Sequence, residues 1–540
     1  MNQKPRAAGL QAVGWDATGS LRRVLSQGLH QRPVSHLVIG LCVGQVLCWG
    51  LAFGLTYKSP EIDSAEQFVW AFSLQNGYWK HPPLPSWIMH GFIALFGPSV
   101  ALPFVATQAC IVIALALMWK LGCEFMSPRR SLIAMALTSL VTYHNIGGDS
   151  FNHNTALLPF QAATALLFYR ATRSGTREAW ALVGLFAGLA MLVKYVALVP
   201  LLGMLLYVAC DRQLHRRQHL SGLLWAAAVF AVVMLPHALW LQSSHFLPFR
   251  YANSVAQALP SVPAALHSLA DFLLMQGVRV LPFAVGLWFV FAPAGAPQRA
   301  FEPAVARPAA ARRDALFLCI VGLAPLAFPV LMGLVKQTEL QSRWGTNAFL
   351  FTGWLVLALW RRPDTERSLQ RTLRFVVAAH VVLCLGMTLA KTTVAEHLKV
   401  RTRANFPGAV LAREAQATWQ AHTEAPLRLV VSDIWLGGNI IAHSSQRVAV
   451  LIDGHSFKSP WVKDRAVESC GALVLDDLTV DASGHAEPNP ALDALMARAS
   501  FTGTWALPWA NASGPGPRGA TGAVRWGIIV PQRPQGCAEP

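Results

Sequence analysis

The chain has 540 residues, of which 54% are hydrophobic and only 13% charged, against roughly 25% charged in a soluble domain. Its formal net charge of +17 is spread over many short stretches rather than gathered on one helix, which argues against nucleic acid as a partner. The mean hydropathy of +0.40 comes from long uncharged runs such as Ser99–Trp119, Leu220–Trp240 and Phe375–Ala390. Runs near the ~20 residues that cross a bilayer, repeated in one chain, exclude a water-soluble globular protein.

Residues 1–35 are polar and basic (Lys4, Arg6, Arg22, Arg23, Arg32) and read as a disordered cytoplasmic tail, with no secretory signal ahead of the first span. The apolar runs then predict about eleven transmembrane helices, over 36–57, 99–119, 131–146, 155–169, 179–193, 195–210, 220–241, 265–292, 315–335, 345–360 and 373–391. Alternate loops hold the dense basic sets, including Lys120/Arg129/Arg130, Arg212/Arg216/Arg217 and Arg361/Arg362/Arg367. That bias puts these loops and the tail in the cytoplasm. Residues 36–391 therefore form a multi-pass domain of a bacterial inner membrane, and 392–540 lie outside, in a periplasm. The exterior segment alternates short β-like runs, Leu427–Ser432 and Val448–Ile452, with Gly, Pro, Asp and Ser turns. It reads as a small α/β domain with a parallel sheet and an irregular tail, on a chain that is mainly α. Cys470 and Cys537 are the two cysteines outside the spans, and that compartment permits a disulfide between them.

The first exterior loop, Tyr57–Pro98, is rich in polar chemistry. Ala65, Phe68, Val69 and Phe72 fall on one helical face, which predicts a short helix lying in the membrane interface and ending at Asn76-Gly77. Asp63, Glu66 and Gln67 share another face. The corner Tyr78-Trp79-Lys80-His81-Pro82-Pro83-Leu84 then turns the chain into a second short helix, Pro85–Phe96. A carboxylate here can accept a proton from an attacking hydroxyl, and Lys80 and His81 can neutralise a phosphate. The plainer reading is that Asp63 caps its helix and Lys80 snorkels to headgroups.

The second exterior loop, Tyr143–Asn154, contains Asp149 and His153 and no Lys or Arg; Asn154 is the expected N-cap of the next span. Lys194, in a tight hairpin, and Lys336 and Arg343, flanking a later loop, oppose the orientation bias. A shared anionic ligand such as a lipid phosphate would explain them, as would snorkelling. Arg279, inside an apolar stretch, needs a buried partner, and His237 reads as a satisfied core histidine. No metal-ligand spacing such as CxxC or HExxH occurs.

Asp63-Ser64-Ala65-Glu66 followed by Gly77-Tyr78-Trp79-Lys80-His81-Pro82-Pro83-Leu84 resembles the first-loop signature of GT-C glycosyltransferases. Most similar is the protein O-mannosyltransferase-like superfamily, which includes aminoarabinose transferases of lipid A. Asn154-Thr155-Ala156-Leu157-Leu158 resembles the family's Asp-Ala-Pro-Leu-Leu, with Asn154 for the usual Asp. Leu192-Val193-Lys194-Tyr195 resembles its Ser-Lys-Tyr hairpin, and Ser64 stands where the family has a second acid.

The resemblance implies a GT-C fold and inverting transfer from a polyprenyl-phosphate sugar to an envelope lipid, glycan or protein on the exterior side. Asp63 would be the base, and Glu66, Tyr78, Lys80, His81, Asp149, His153 and Asn154 would bind donor or acceptor. Lys194, Lys336 and Arg343 would bind the lipid phosphate. No cofactor is required by this chemistry, though some relatives hold a divalent metal near the first loop. A transporter or flippase is the alternative; it is disfavoured by the lack of a clear internal repeat and by the near-absence of acids inside the spans, Asp271 being the nearest case.

Overall fold

In the computed structural model, residues 33–256, 258–292, 308–359, 364–478, 489–509, 521–533, 537 and 539–540 are described. The tail expected over 1–35 lies outside them except for its last three residues.

Each apolar run contains a helix. In chain order these are α1 (Val34–Thr56), the first-loop helices α2 (Ile62–Trp70) and α3 (Leu84–Phe96), then α4 (Leu102–Gly122), α5 (Pro128–Thr138) and α6 (His153–Ser174). They are followed by α7 (Arg177–Val193), α8 (Leu198–Cys210), α9 (Arg217–Ser243), α10 (Leu247–Val255) and α11 (Val262–Phe291). The membrane domain closes with α12 (Pro308–Leu331), α13 (Thr352–Leu359) and α14 (Glu366–Leu389).

Among the described residues, six helices are long and apolar enough to cross a membrane: α1, α4, α9, α11, α12 with its extension to Lys336, and α14 with its extension to His397. The other runs are shorter or more polar than expected. α5 has 11 residues, which at 1.5 Å per residue reach only about 16 Å. It lies inside the bundle: Leu132, Ile133, Ala134 and Leu137 are wholly buried. The outer helices face the other way. Leu55 of α1, Leu224 of α9 and Trp288 of α11 are 82%, 74% and 72% exposed, an apolar exterior that suits hydrocarbon and not water.

The C-terminal domain, called the exterior domain after the side expected for it, holds α15 (Gly408–His422), β1 (Leu429–Ser432), α16 (Ile434–His443), β2 (Ala449–Ile452), α17 (Ala466–Cys470), β3 (Ala472–Asp477), α18 (Pro490–Met496), β4 (Phe501–Pro508) and β5 (Thr521–Ile529). The sheet order is β2-β1-β3-β5-β4. The expected parallel sheet accounts for one half: β2, β1 and β3 are parallel, while β5 and β4 add an antiparallel hairpin. β1 and β2 are buried along their whole length, as strands covered on both faces must be. A Cys470–Cys537 disulfide fastens the terminal segment to α17.

This domain sits on the first loop. Gly438 of α16 leaves room for the backbone of α2; a Cβ there would lie 2.6 Å from the Ala65 Cβ. Ala65 packs with Phe406, Leu411 and Leu436 of the exterior domain, and Phe68 and Val69 with strands β1 and β2. The apolar face expected to rest on the membrane interface is therefore covered by protein. The amphipathic pattern identified the buried side of α2 but not what buries it. The helix also ends at Trp70 rather than Asn76-Gly77, with Phe72 to Gly77 continuing as turns.

Candidate active site

α2 begins after Glu61, whose side chain makes no cap hydrogen bond. Asp63 occupies the first turn, where the positive end of the helix favours a carboxylate, and it is not the cap. Its Oδ2 accepts from Arg343 Nη1 at 3.3 Å and Asn152 Nδ2 at 3.4 Å. Both contacts are long and fall on one oxygen, so Oδ1 is left for an incoming hydroxyl. Ser64, next in the chain, is wholly buried; its Oγ accepts from the Phe151 N–H at 2.9 Å and lies 3.3 Å from Ser150 Oγ. That bond joins the two exterior loops, and a second charged carboxylate at this position would have no water to face.

One turn on, Glu66 is 6% exposed and accepts from Lys80 Nζ at 2.7 Å. Burial pushes its carboxyl up to about 7, a rise that Lys80 opposes without cancelling. Burial also works against the Lys80 ammonium, but Glu66 outweighs it and Lys80 is held above its ordinary value. The corner is fixed by reciprocal backbone bonds between Tyr78 and His81, 3.0 and 3.1 Å. This turns His81 toward His153, the ring centroids lying 4.0 Å apart. Burial and then His153 hold His81 well below the usual imidazole range. Burial takes His153 down to about 3.

Glu66, His81 and His153 offer ligand atoms all within 4.8 Å of one another, and His153 Nε2 is buried with no protein partner among the described residues. Two neutral imidazoles and a carboxylate fit a divalent metal. This donor set has no compact sequence spacing, so no motif marks it.

The second loop differs from expectation in one useful respect. Asn152, not Asn154, caps α6, in a capping box with Thr155. Asn154 Oδ1 is thereby released to accept from Lys194 Nζ. Lys194 stands between α7 and α8, and burial lowers its pKa to about 8. Lys80 and Arg343 each face a carboxylate in this cavity, whereas the acceptor of Lys194 is a neutral amide.

These groups line one cavity of about 520 Å³, with Asp63, Glu66, Lys80, Asn154, Lys194 and Arg343 among its polar residues. The same lining carries apolar residues, Val196, Pro200, Val255, Pro325, Phe328 and Met332. Tyr251 of α10 also lines it, 5.4 Å from Lys80 Nζ; with Asn152 it was missed in the sequence, having no motif to mark it.

Three expected residues are elsewhere. Tyr78 is 1% exposed and spends its hydroxyl on the Trp70 and Ser73 carbonyls while stacking on Trp70, so it builds the corner. Asp149 accepts from Tyr57 at 2.8 Å and does not line the cavity. Lys336 is exposed at the end of the α12 extension, also off the cavity wall. Outside the site, His237 is a satisfied core histidine between Tyr195 and the Asn76 carbonyl. Arg279 reaches Thr142 at 3.5 Å and lies over the Tyr143 ring.

Residues 80–240 match the family model described as dolichyl-phosphate-mannose-protein mannosyltransferase. The chain is 27% identical over 393 residues to the lipopolysaccharide core galacturonosyltransferase RgtA of Rhizobium johnstonii, covering 71% of this chain and 75% of that one. It is 26% identical over 201 residues to the lipid A galacturonosyltransferase RgtD of the same organism, covering 36% and 41%. In fold it is similar to ArnT from Cupriavidus metallidurans, solved bound to undecaprenyl phosphate, with a TM-score of 0.53 and 13% identity over 91% of this chain and 97% of that one.

Proposed function

We propose that the chain is a polytopic membrane glycosyltransferase of the GT-C class, a reading that its family match, relatives and fold neighbour support, and that it moves a sugar from a polyprenyl-phosphate carrier to an acceptor hydroxyl at the exterior face. In this reading the Asp63 carboxylate takes the proton of the acceptor hydroxyl. The oxygen attacks the anomeric carbon, the bond from that carbon to the phosphate oxygen breaks, and polyprenyl phosphate leaves with inversion at carbon.

The observation that carries the reading is the cavity that brings Asp63 together with Lys194, a buried ammonium whose hydrogen-bond acceptor is a neutral amide. A desolvated cation with no carboxylate in contact is suited to an anion that arrives with the substrate. The apolar residues of the same lining, among them Val196, Phe328 and Met332, suit a prenyl chain. Arg343 would share the charge developing on the phosphate. Glu66, His81 and His153 would hold a divalent metal, which supplies further positive charge when bound. The named activity of RgtA and RgtD makes a hexuronic acid the first donor sugar to try, and the undecaprenyl phosphate bound to ArnT is the first carrier to try.

The test compares wild type with Asp63→Asn in membranes supplied with radiolabelled undecaprenyl-phosphate sugars. Loss of a general base costs roughly a hundredfold to ten-thousandfold, so label transfer should collapse in the mutant at equal expression. Undiminished transfer by Asp63→Asn would remove this residue as the base.

A further inference from the structure

The exterior domain reaches the first-loop corner, beside Lys80 and Tyr251 of the cavity wall, through one turn. After β2, Asp453 and Gly454 both take left-handed backbone angles, φ 53° and 74°. The short helical turn Ser456–Lys458 follows, held back on the strand by the Ile452 N–H, which donates to Ser459 Oγ at 2.8 Å. This turn directs Lys458 onto the first-loop corner. Lys458 Nζ lies 5.0 Å from the Trp79 ring centroid and Lys80 Nζ lies 4.8 Å from it. Phe457 meets the same indole edge-on at 6.2 Å and is 49% exposed. Tyr251 approaches it from α10 at 5.0 Å. Trp79 Nε1 has no protein acceptor among the described residues.

The chemistry of this cluster differs from that around Lys194. Lys80 is paired with Glu66 and Lys458 with Asp453, each at 2.7 Å, so the cluster is neutral overall. Each ammonium still has donors beyond the one its carboxylate takes, and each carboxylate has lone pairs beyond the one its lysine takes. Aromatic surface therefore lies among donors and acceptors at balanced charge. A sugar ring matches it: apolar C–H groups on one face meet an indole, and hydroxyls at the rim both donate and accept. A phosphate would find its charge already met.

We propose that Phe457, Lys458 and Asp453 of the exterior domain, with Trp79 of the first loop, form an acceptor-sugar subsite beside the cavity wall at Lys80 and Tyr251. The acceptor is then a glycan, gripped partly by the exterior domain. The inference rests on the transferase reading above. It extends it along one line of residues, from Lys458 through Trp79 and the Lys80–Glu66 pair to Asp63, one turn of α2 away.

The experiment uses the full chain in lipid nanodiscs, with delipidated lipopolysaccharide core oligosaccharide as the probe. Its affinity is measured directly by thermophoresis, and undecaprenyl-phosphate affinity is measured in parallel. Wild type should bind the oligosaccharide, and Phe457→Ala and Lys458→Ala should each bind it about tenfold more weakly, as truncating an anchoring contact does, with Lys458→Arg recovering most of the loss. In turnover the same variants should raise KM for the oligosaccharide by a similar factor and leave kcat within about twofold. Because Phe457 is half-exposed, its truncation tests the subsite without unfolding the domain. Equal oligosaccharide affinity in wild type and Phe457→Ala, or none in wild type, overturns the subsite. Failure of wild type to bind undecaprenyl phosphate would instead count against the donor reading.

Discussion

At the scale of single residues, the exchange of one oxygen partner decides how Lys194 behaves. Its acceptor is the Asn154 amide, so burial has nothing of opposite charge in direct contact to balance it. Arg343 lowers its pKa further, and Asp63 raises it only in part, leaving it at about 8 rather than 10.5. The sign follows from linkage. Because the folded value lies below the unfolded one, burying the ammonium costs stability below pH 8, and that cost fades as pH rises from 8 toward 10.5. Donor binding runs the other way, since only the ammonium attracts a phosphate. The kcat/KM for the lipid donor should therefore fall above an apparent pKa of about 8, and Lys194→Arg should move that limb out of range, a guanidinium staying charged throughout. A flat profile in wild type to about pH 9.5, well past the lowered lysine value, would remove Lys194 from donor binding. Part of this was readable in advance: Lys194 and Asn154 were both marked by the sequence. Their pairing was not, because cap preference alone cannot choose between Asn152 and Asn154, two residues apart and equally able to cap.

At the scale of elements, the apolar runs were legible as helices because continuous hydrophobicity survives any packing arrangement. Which of them cross a bilayer was not, since α5 falls in a run that reads as a span yet lies inside the bundle at 11 residues. The fate of α2 was hidden for a related reason. An amphipathic face needs a cover, and nothing in nine residues says whether lipid or a distant domain supplies it. The structure answers with α16, and the contact is tight enough to test. Adding a side chain at Gly438 brings a Cβ within 2.6 Å of Ala65 Cβ and the Ala65 carbonyl oxygen, so α2 and α16 must separate. Overpacking of this kind costs about 1–3 kcal/mol. Asp63 and Glu66 ride on α2, so Gly438→Val should reduce transfer by about tenfold or more, while undecaprenyl-phosphate binding at Lys194, on other helices, stays near wild type. Equal losses of both would indicate general unfolding instead.

At the scale of the whole molecule, the exterior domain acts as the roof of α2, so its stability and the activity of the membrane domain should fall together. The sheet that builds the roof was only half legible: β1 and β2 stand out as apolar runs, whereas β4 alternates exposed and buried residues, and the pairing of β3 with β5 is made after a long detour in sequence. The Cys470–Cys537 disulfide closes that detour, with a sequence separation of 67. A loop of that length corresponds to about 4 kcal/mol of denatured-state entropy removed, a large share of the roughly 5–15 kcal/mol that holds a typical domain together. Cys470→Ser with Cys537→Ser should therefore lower the melting temperature of the exterior domain by several degrees or more. Transfer should be lost at the same temperature, well before the bundle loses its helical circular dichroism. The seven other cysteines are free thiols, so adding dithiothreitol to wild type should reproduce the double mutant. Transfer that persists after the exterior domain has melted would mean that α2 keeps Asp63 in position without its roof, and the coupling between the two halves of the molecule would be wrong.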